Sequence, residues 1–178
     1  SNRITTNKTR VISRNQQMMR LDAEVIHDLD TKEETDLLKK IKDYIATADP
    51  DVIIFEDYNK GVLTEKIIQE TIALCKQAGV ITAVDPKRKN FFTFKQADIF
   101  KPNLKEVKEG LNLLTDEISQ AQLQKIHAEL QQLLHHTISF ITLSEKGVFY
   151  QDNKDAKLIP SHIRNVADVS GAGDTVIA

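Results

Sequence analysis

The 178-residue sequence is poor in cysteine, and its positive and negative charges nearly cancel. The single cysteine, Cys75, argues against a disulfide framework and against a cysteine zinc cluster. A net charge of −2 provides no general electrostatic attraction to nucleic acid or to an anionic membrane, so neither is expected as a partner. The five histidines also lack a spacing typical of metal ligands.

Long apolar runs are absent as well. No stretch approaches the length of a transmembrane helix, and the first residues lack the apolar segment of a secretory signal peptide. We therefore expect a cytoplasmic protein. The chain has the length of one ordinary domain with a real hydrophobic core.

Predicted strands and helices alternate along most of the chain. The alternation indicates a doubly wound, mostly parallel α/β sheet with helices on both faces and antiparallel strands added late. The continuous apolar run 52–55 is typical of a strand buried on both faces. Thr64 and Gly79 are the expected caps of one helix. The predicted strands are 9–12, 18–23, 52–55, 80–84, 97–100, 137–143, 147–151 and 157–160, and the other predicted helices are 32–47, 104–110 and 117–135.

Polar residues follow four of these strands. In open α/β sheets, ligands bind at the carboxyl ends of the strands, so these residues are the first candidates for a site. They lie at 56–58, 85–87, 101–103 and 142–145.

A glycine-rich segment near the end of the chain is the most informative motif. Gly171, Ala172 and Gly173 are followed directly by Asp174. Backbone N–H groups at such a turn suit a phosphate, and an adjacent carboxylate suits a base that takes a proton from an attacking hydroxyl. The alternative is a tight strand-to-helix turn in which Asp174 is only a favourable first-turn charge.

The other strand ends also allow two interpretations each. Asn103 and Glu106 form a helix capping box, or they face phosphates and order the water shell of Mg²⁺. The loop 57–61 is a turn with Gly61 at positive φ, or it brings Lys60 or Asp57 to the mouth of a site.

The two remaining loops are equally open. Lys87 either meets a phosphate or is solvated, and we favour solvation for Arg88 and Lys89. Residues 142–147 form a nucleotide wall or a hairpin turn.

Two motifs together resemble one family. DVSGAGD at 168–174 is similar to the signature of the ribokinase (PfkB-type) sugar kinases, and PNLKE at 102–106 resembles that family's NxxE element. Within the family, the segments VISRNQQ at 11–17 and TLSEKG at 142–147 are most similar to the heptose 7-phosphate kinase branch.

This resemblance implies phosphoryl transfer from ATP to the anomeric hydroxyl of D-glycero-D-manno-heptose 7-phosphate. The product would be the 1,7-bisphosphate used in ADP-heptose and lipopolysaccharide core biosynthesis. Asp174 would be the base, Gly171, Ala172 and Gly173 would stabilise the moving phosphoryl group, and Glu106 would hold Mg²⁺ through water.

The resemblance also implies the remaining site residues. Sugar phosphate and ATP would be the partners, and a homodimer is possible. The nucleotide residues would be Asn103, Leu104, Lys105, Glu106, Thr142, Ser144, Glu145 and Gly147, and the substrate residues would be Asp174, Arg14, Arg20 and Lys60.

The family comparison further predicts that 1–178 is one partial kinase domain. It would lack the N-terminal sugar-binding part and the C-terminal helices, and would be inactive by itself. Three alternatives stay open: another sugar kinase of the family, such as a ribokinase or fructokinase; a non-catalytic nucleotide-binding fragment; and a dinucleotide oxidoreductase. The last is disfavoured because the Gly-Ala-Gly segment follows the last strands instead of opening the first βαβ unit.

Overall fold

The chain begins with a two-stranded hairpin that stands apart from the main sheet. The structure is a computed structural model that describes residues 3–14, 16–114, 119–161 and 172–177. Strand β1 (Asn7–Ser13) pairs antiparallel with β2 (Gln16–Ala23), and every residue of both strands is exposed. The hairpin therefore buries neither of its faces.

The main sheet has six strands that lie side by side in chain order. The three pairings from β3 to β6 are parallel, and the two pairings from β6 to β8 are antiparallel. This mixed, mostly parallel sheet with helices confirms the predicted α/β class. The strands are β3 (Val52–Glu56), β4 (Ile81–Asp85), β5 (Ile99–Phe100), β6 (Ile138–Thr142), β7 (Val148–Gln151) and β8 (Ala156–Ile159).

Local capping chemistry determines where the helices begin and end. Thr64 accepts a hydrogen bond from Ile67 N at the start of α2, and Gly79 ends it with φ of 74°. None of the described helices is long and apolar enough to cross a membrane. The α-helices are α1 (Thr31–Ala48), α2 (Glu65–Ala78), α3 (Leu104–Gly110), α4 (Gln120–Leu134) and α5 (Ala172–Ile177), and short 3₁₀ helices occupy Arg88–Asn90 and Ser144–Lys146.

One large apolar cluster joins the sheet to α2, α3 and α4. Phenylalanine rings dominate its centre: Phe91 meets Phe100 edge to face with ring centroids 5.2 Å apart. Val107 of α3 is fully buried in the same cluster. Because α3 follows β5 directly, this packing fixes the carboxyl end of β5 in the body of the protein.

One burial prediction was wrong. Strand β3 is not buried on both faces, since Val52 is 43% exposed and Phe55 is the buried residue of the strand. Among the described strands, β3 pairs with β4 alone, so it lies at the edge of the sheet.

Candidate active site

The carboxyl ends of β4, β5 and β6 converge, as expected for a parallel sheet. Lys101 N donates to Val84 O at 2.8 Å, so the hydrogen bonding between β4 and β5 continues one residue beyond the end of β5. Thr142 N donates to Pro102 O at 3.1 Å, and Asn103 and Thr142 form a single parallel bridge. Polar residues from three successive strand ends therefore lie side by side.

A buried ion pair connects the first two of these strand ends. Lys101 Nζ donates to Asp85 Oδ2 at 2.8 Å, and the Lys101 side chain is only 4% exposed. Both residues directly follow predicted strands, but neither Asp85 nor Lys101 has a predicted role in the site. The available signal was opposite charge at equivalent positions of neighbouring strands.

Lys87 extends this pair to the helix that follows β5. Its Nζ lies 2.5 Å from Glu106 Oε1 and 3.5 Å from Asp85 Oδ1. Burial lowers the pKa of Lys87, but its hydrogen bond to Glu106 and the negative charges of Asp85 and Glu106 outweigh burial and raise the pKa above its usual value. Lys87 is therefore a protonated cation that bridges two carboxylates.

Asn103 and Glu106 form a capping box at the start of α3. Asn103 Oδ1 accepts from Glu106 N at 2.9 Å, and Asn103 N donates to Glu106 Oε2 at 2.8 Å. The capping interpretation is confirmed. It uses one carboxylate oxygen of Glu106, and the other oxygen faces the Lys87 ammonium.

We refer to Asp85, Lys87, Lys101, Asn103 and Glu106 as the strand-end cluster. Glu106 Oε1 fits Mg²⁺ held through water, because carboxylate oxygens are ligands that Mg²⁺ prefers, and in this structure the ammonium of Lys87 lies beside that oxygen. Glu106 would hold the ion, and the bound ion would neutralise phosphate charge.

The other predicted residues of α3 point in different directions. Leu104 is partly buried and packs against the main core. Lys105 is highly exposed, and its Nζ lies 3.8 Å from a carboxylate oxygen of Glu109 one turn later.

A short 3₁₀ turn, Ser144–Lys146, follows the bridge at Thr142. Ser144 has φ of 57° and is exposed, as is Glu145. Gly147 has φ of 99°, and a Cβ at this position would lie 2.0 Å from Ile159 O. The close approach of β8 therefore accounts for glycine at 147, whereas Ser144 and Glu145 remain accessible to a ligand.

The glycine-rich motif lies partly outside the described residues. Helix α5 begins at Ala172 and lies against β4. The segment 162–171, which includes Gly171, and the side chains of Ala172 and Asp174 are outside the described part. A helix starts where the motif predicts one, beside a strand that leads into the strand-end cluster.

The three predicted sugar-side cations lie on other elements. Arg14 is at the hairpin turn with φ of 48°, and Arg20 Nε lies 2.9 Å from Asp22 Oδ1 on the same strand. Lys60 follows β3 and donates to Glu24 Oε1. None of these three residues lies on an element that contributes to the strand-end cluster.

Asp57 holds the loop after β3 in place. Asp57 is buried and accepts hydrogen bonds from Asn59 N at 2.7 Å and Asn90 Nδ2 at 2.9 Å. Gly61 has the expected positive φ, 77°, and a Cβ there would lie 2.0 Å from His27 O. The hydrogen bonds of Asp57 stabilise the loop, and the site role of Lys60 or Asp57 stays a prediction.

The fold and the polar strand ends agree with a family assignment. The chain belongs to the pfkB family of carbohydrate kinases, whose model matches residues 2–178.

Among curated relatives, the bifunctional protein HldE of Helicobacter acinonychis is 39% identical over 178 residues, which is 99% of this chain and 37% of that protein. HldE of Mesorhizobium japonicum is 37% identical over 181 residues, covering 99% of this chain and 35% of that protein. The chain therefore spans little more than a third of these relatives.

Solved structures share the fold at low sequence identity. The tetrameric inhibited form of Escherichia coli phosphofructokinase-2 superposes with a TM-score of 0.71 at 14% identity, covering 89% of this chain and 52% of that one. Arabidopsis thaliana ribokinase, complexed with ribose and ATP, gives a TM-score of 0.65 at 17% identity over 98% of this chain and 54% of that one.

Proposed function

We propose that the chain forms part of a sugar kinase that transfers the γ-phosphoryl group of ATP, with Mg²⁺, to the anomeric hydroxyl of D-glycero-D-manno-heptose 7-phosphate. Membership of the pfkB family supports the reaction class. The heptose substrate is supported by the resemblance of 11–17 and 142–147 to the heptose 7-phosphate kinases, and by the identity to HldE.

The strand-end cluster is the observation that carries this proposal. Glu106 Oε1 and Lys87 Nζ, 2.5 Å apart, provide a carboxylate for a hydrated divalent cation and an ammonium for phosphate at the same edge of the sheet. Asn103 holds Glu106 in place through the capping box. Thr142 lies beside Asn103, and Ser144, Glu145 and Gly147 would continue the nucleotide side with Leu104 and Lys105.

Asp174 is proposed as the general base. It would take the proton of the anomeric hydroxyl while the oxygen attacks the γ-phosphorus and the bond to the β,γ-bridging oxygen breaks. ADP would leave, and the sugar would become the 1,7-bisphosphate. Backbone N–H groups of Gly171, Ala172 and Gly173 would stabilise the charge on the moving phosphoryl group.

The sugar side and the assembly complete the proposal. Arg14, Arg20 and Lys60 would contact the sugar phosphate, which requires the hairpin to approach the body. The hairpin exposes Val11, Ile12, Met18, Met19 and Leu21, and burial of these side chains against a second copy would support a homodimer. We also propose a cytoplasmic protein of the ADP-heptose pathway in which 1–178 is one partial kinase domain.

ADP release by the full-length protein tests the proposal. Mg·ATP would be offered with heptose 7-phosphate, ribose and fructose in parallel. We expect turnover with heptose 7-phosphate alone. Turnover with ribose or fructose would support the kinase reaction but contradict heptose 7-phosphate as the substrate. Nucleotide binding without turnover on any of the sugars would favour a non-catalytic nucleotide-binding role, and binding of NAD without ATP turnover would favour an oxidoreductase.

A further inference from the structure

We propose that Lys87 is an exchangeable cation: in the free protein it neutralises Glu106, and when a magnesium nucleotide binds it leaves Glu106 and contacts the phosphates. The inference rests on the proposed function, because it takes the ligand to be a magnesium nucleotide.

The charges of the strand-end cluster balance in the free protein. The two carboxylates, Asp85 and Glu106, face the two ammonium groups of Lys87 and Lys101. Lys101 is locked in place, because its side chain is 4% exposed and pairs with Asp85 at 2.8 Å. Lys87 is 35% exposed, whereas its partner Glu106 is 10% exposed. Lys87 is therefore the cation that can leave without opening the core.

Lys87 and a hydrated metal ion would compete for the same oxygen of Glu106. Its Oε2 accepts from Asn103 N, and its Oε1 lies 2.5 Å from Lys87 Nζ. A divalent cation that approaches Oε1 would meet the ammonium at short range, where like charges repel strongly. Binding of the ion at Glu106 therefore favours movement of Lys87 away from this oxygen.

The backbone around Lys87 keeps the displaced ammonium close. Lys87 caps the 3₁₀ helix Arg88–Asn90, and Asn90 N donates to Lys87 O at 3.1 Å. The Asn90 side chain in turn donates to Asp57 Oδ2 and to Leu63 O, both at 2.9 Å. Exchange therefore needs only a rotation of the Lys87 side chain. A phosphate that arrives with the metal ion gives the freed ammonium a charged partner.

Binding of Mn²⁺ without nucleotide tests the first half of the exchange. Mn²⁺ replaces Mg²⁺ in this experiment. Electron paramagnetic resonance measures the concentration of free Mn²⁺ in the presence of the full-length protein. We expect Lys87→Met to bind Mn²⁺ about tenfold more tightly than wild type, because the competing charge is gone. Lys89→Met is the matched control. It removes a positive charge two residues away that pairs with Asp28, and Mn²⁺ affinity should change less than about twofold. Glu106→Gln should abolish the gain when combined with Lys87→Met.

Affinity for Mg·ADP, measured by calorimetry, tests the second half. We expect Lys87→Met to weaken Mg·ADP about tenfold and Lys89→Met to leave it unchanged. If circular dichroism shows that the Lys87→Met protein does not fold, Lys87→Gln is used in its place. Equal Mn²⁺ affinities in wild type and the Lys87 variant, or an unchanged affinity for Mg·ADP, would overturn the exchange while leaving the kinase proposal intact. If the wild-type protein bound no Mg·ADP at all, both the proposed function and this inference would be contradicted.

Discussion

Lys101 reaches back across one strand pairing to donate to Asp85 Oδ2 at 2.8 Å, so charge as well as backbone hydrogen bonding joins β5 to β4. Both side chains are buried, and an isolated charge in such surroundings is costly. The pair is therefore expected to matter most when only one partner is removed.

Lys101→Met should lower the free energy of unfolding by about 3 kcal/mol, because Asp85 then stays as a buried charge whose remaining cation among the described residues is the more distant Lys87. Adding Asp85→Asn should recover part of the lost stability. Urea unfolding of the full-length protein measures the free energy of unfolding of the single and the double variant. Lys157→Met, which removes an exposed partner of Asp155, should cost less than about 0.5 kcal/mol. Equal costs for the two lysine variants would argue against the buried pair.

The capping box at α3 allows its structural role to be separated from ligand binding. Asn103→Ala should cost about 1 kcal/mol of stability, and so should Ser119→Ala, which removes the equivalent cap of α4. We expect only Asn103→Ala to weaken Mg·ADP, because Ser119 is at another helix. Thermal unfolding and calorimetry are the measurements. Equal Mg·ADP affinities in the two variants would mean that Asn103 acts in helix capping and not in nucleotide binding.

Asp174→Asn should lower turnover by several orders of magnitude and leave nucleotide affinity nearly unchanged, because the amide cannot take the proton of the attacking hydroxyl. Steady-state ADP release and Mg·ADP binding in the full-length protein would be compared. Glu145→Gln is a useful companion, since its expected effect is on nucleotide affinity. An Asp174→Asn protein with wild-type turnover would remove Asp174 as the base.

Stability should fall as the pH drops from about 6.5 to about 4. Burial, and then the charge of His127, lowers the pKa of His136 to about 4, and both rings lie within 2.8 Å of Ser139 Oγ. Between these pH values His136 is protonated in the unfolded chain but stays neutral in the folded protein. The free energy of unfolding therefore falls by about 3 kcal/mol.

Urea unfolding at pH 7 and at pH 4.5 measures this loss. His136→Gln should retain much more of its stability on acidification. The exposed neighbour His135 provides the control, and His135→Asn should lose as much as wild type, since asparagine tolerates the positive φ of 55° at this position. A His136→Gln protein with the wild-type pH dependence would contradict the assignment.

Local signals in the sequence were sufficient for several elements. Helix α3 has the predicted bounds, and Thr64 and Gly79 cap α2 as expected. Capping and turn chemistry depend on residues within four positions of each other, which is why the sequence alone reveals them. The capping box of Asn103 and Glu106 was predictable for the same reason.

Features that depend on the sheet were not predictable in this way. The partners Asp85 and Lys101 are 16 residues apart, and they meet only because Val84 pairs with Phe100. Likewise, an apolar run reports the hydrophobicity of Val52 and its neighbours but not how many strands flank them. Among the strands that the structure describes, the position of β3 at the sheet edge, and hence its exposure, depends on strand order.

That strand order also has a consequence for biosynthesis. Each strand from β4 to β8 pairs with the one that leaves the ribosome just before it, so none has to wait for a later-made partner. The sheet can grow one strand at a time behind the translating ribosome, with helices α2 to α4 covering apolar side chains as they emerge. Nascent chains arrested after β6 should therefore already contain a protease-resistant β3–β6 core.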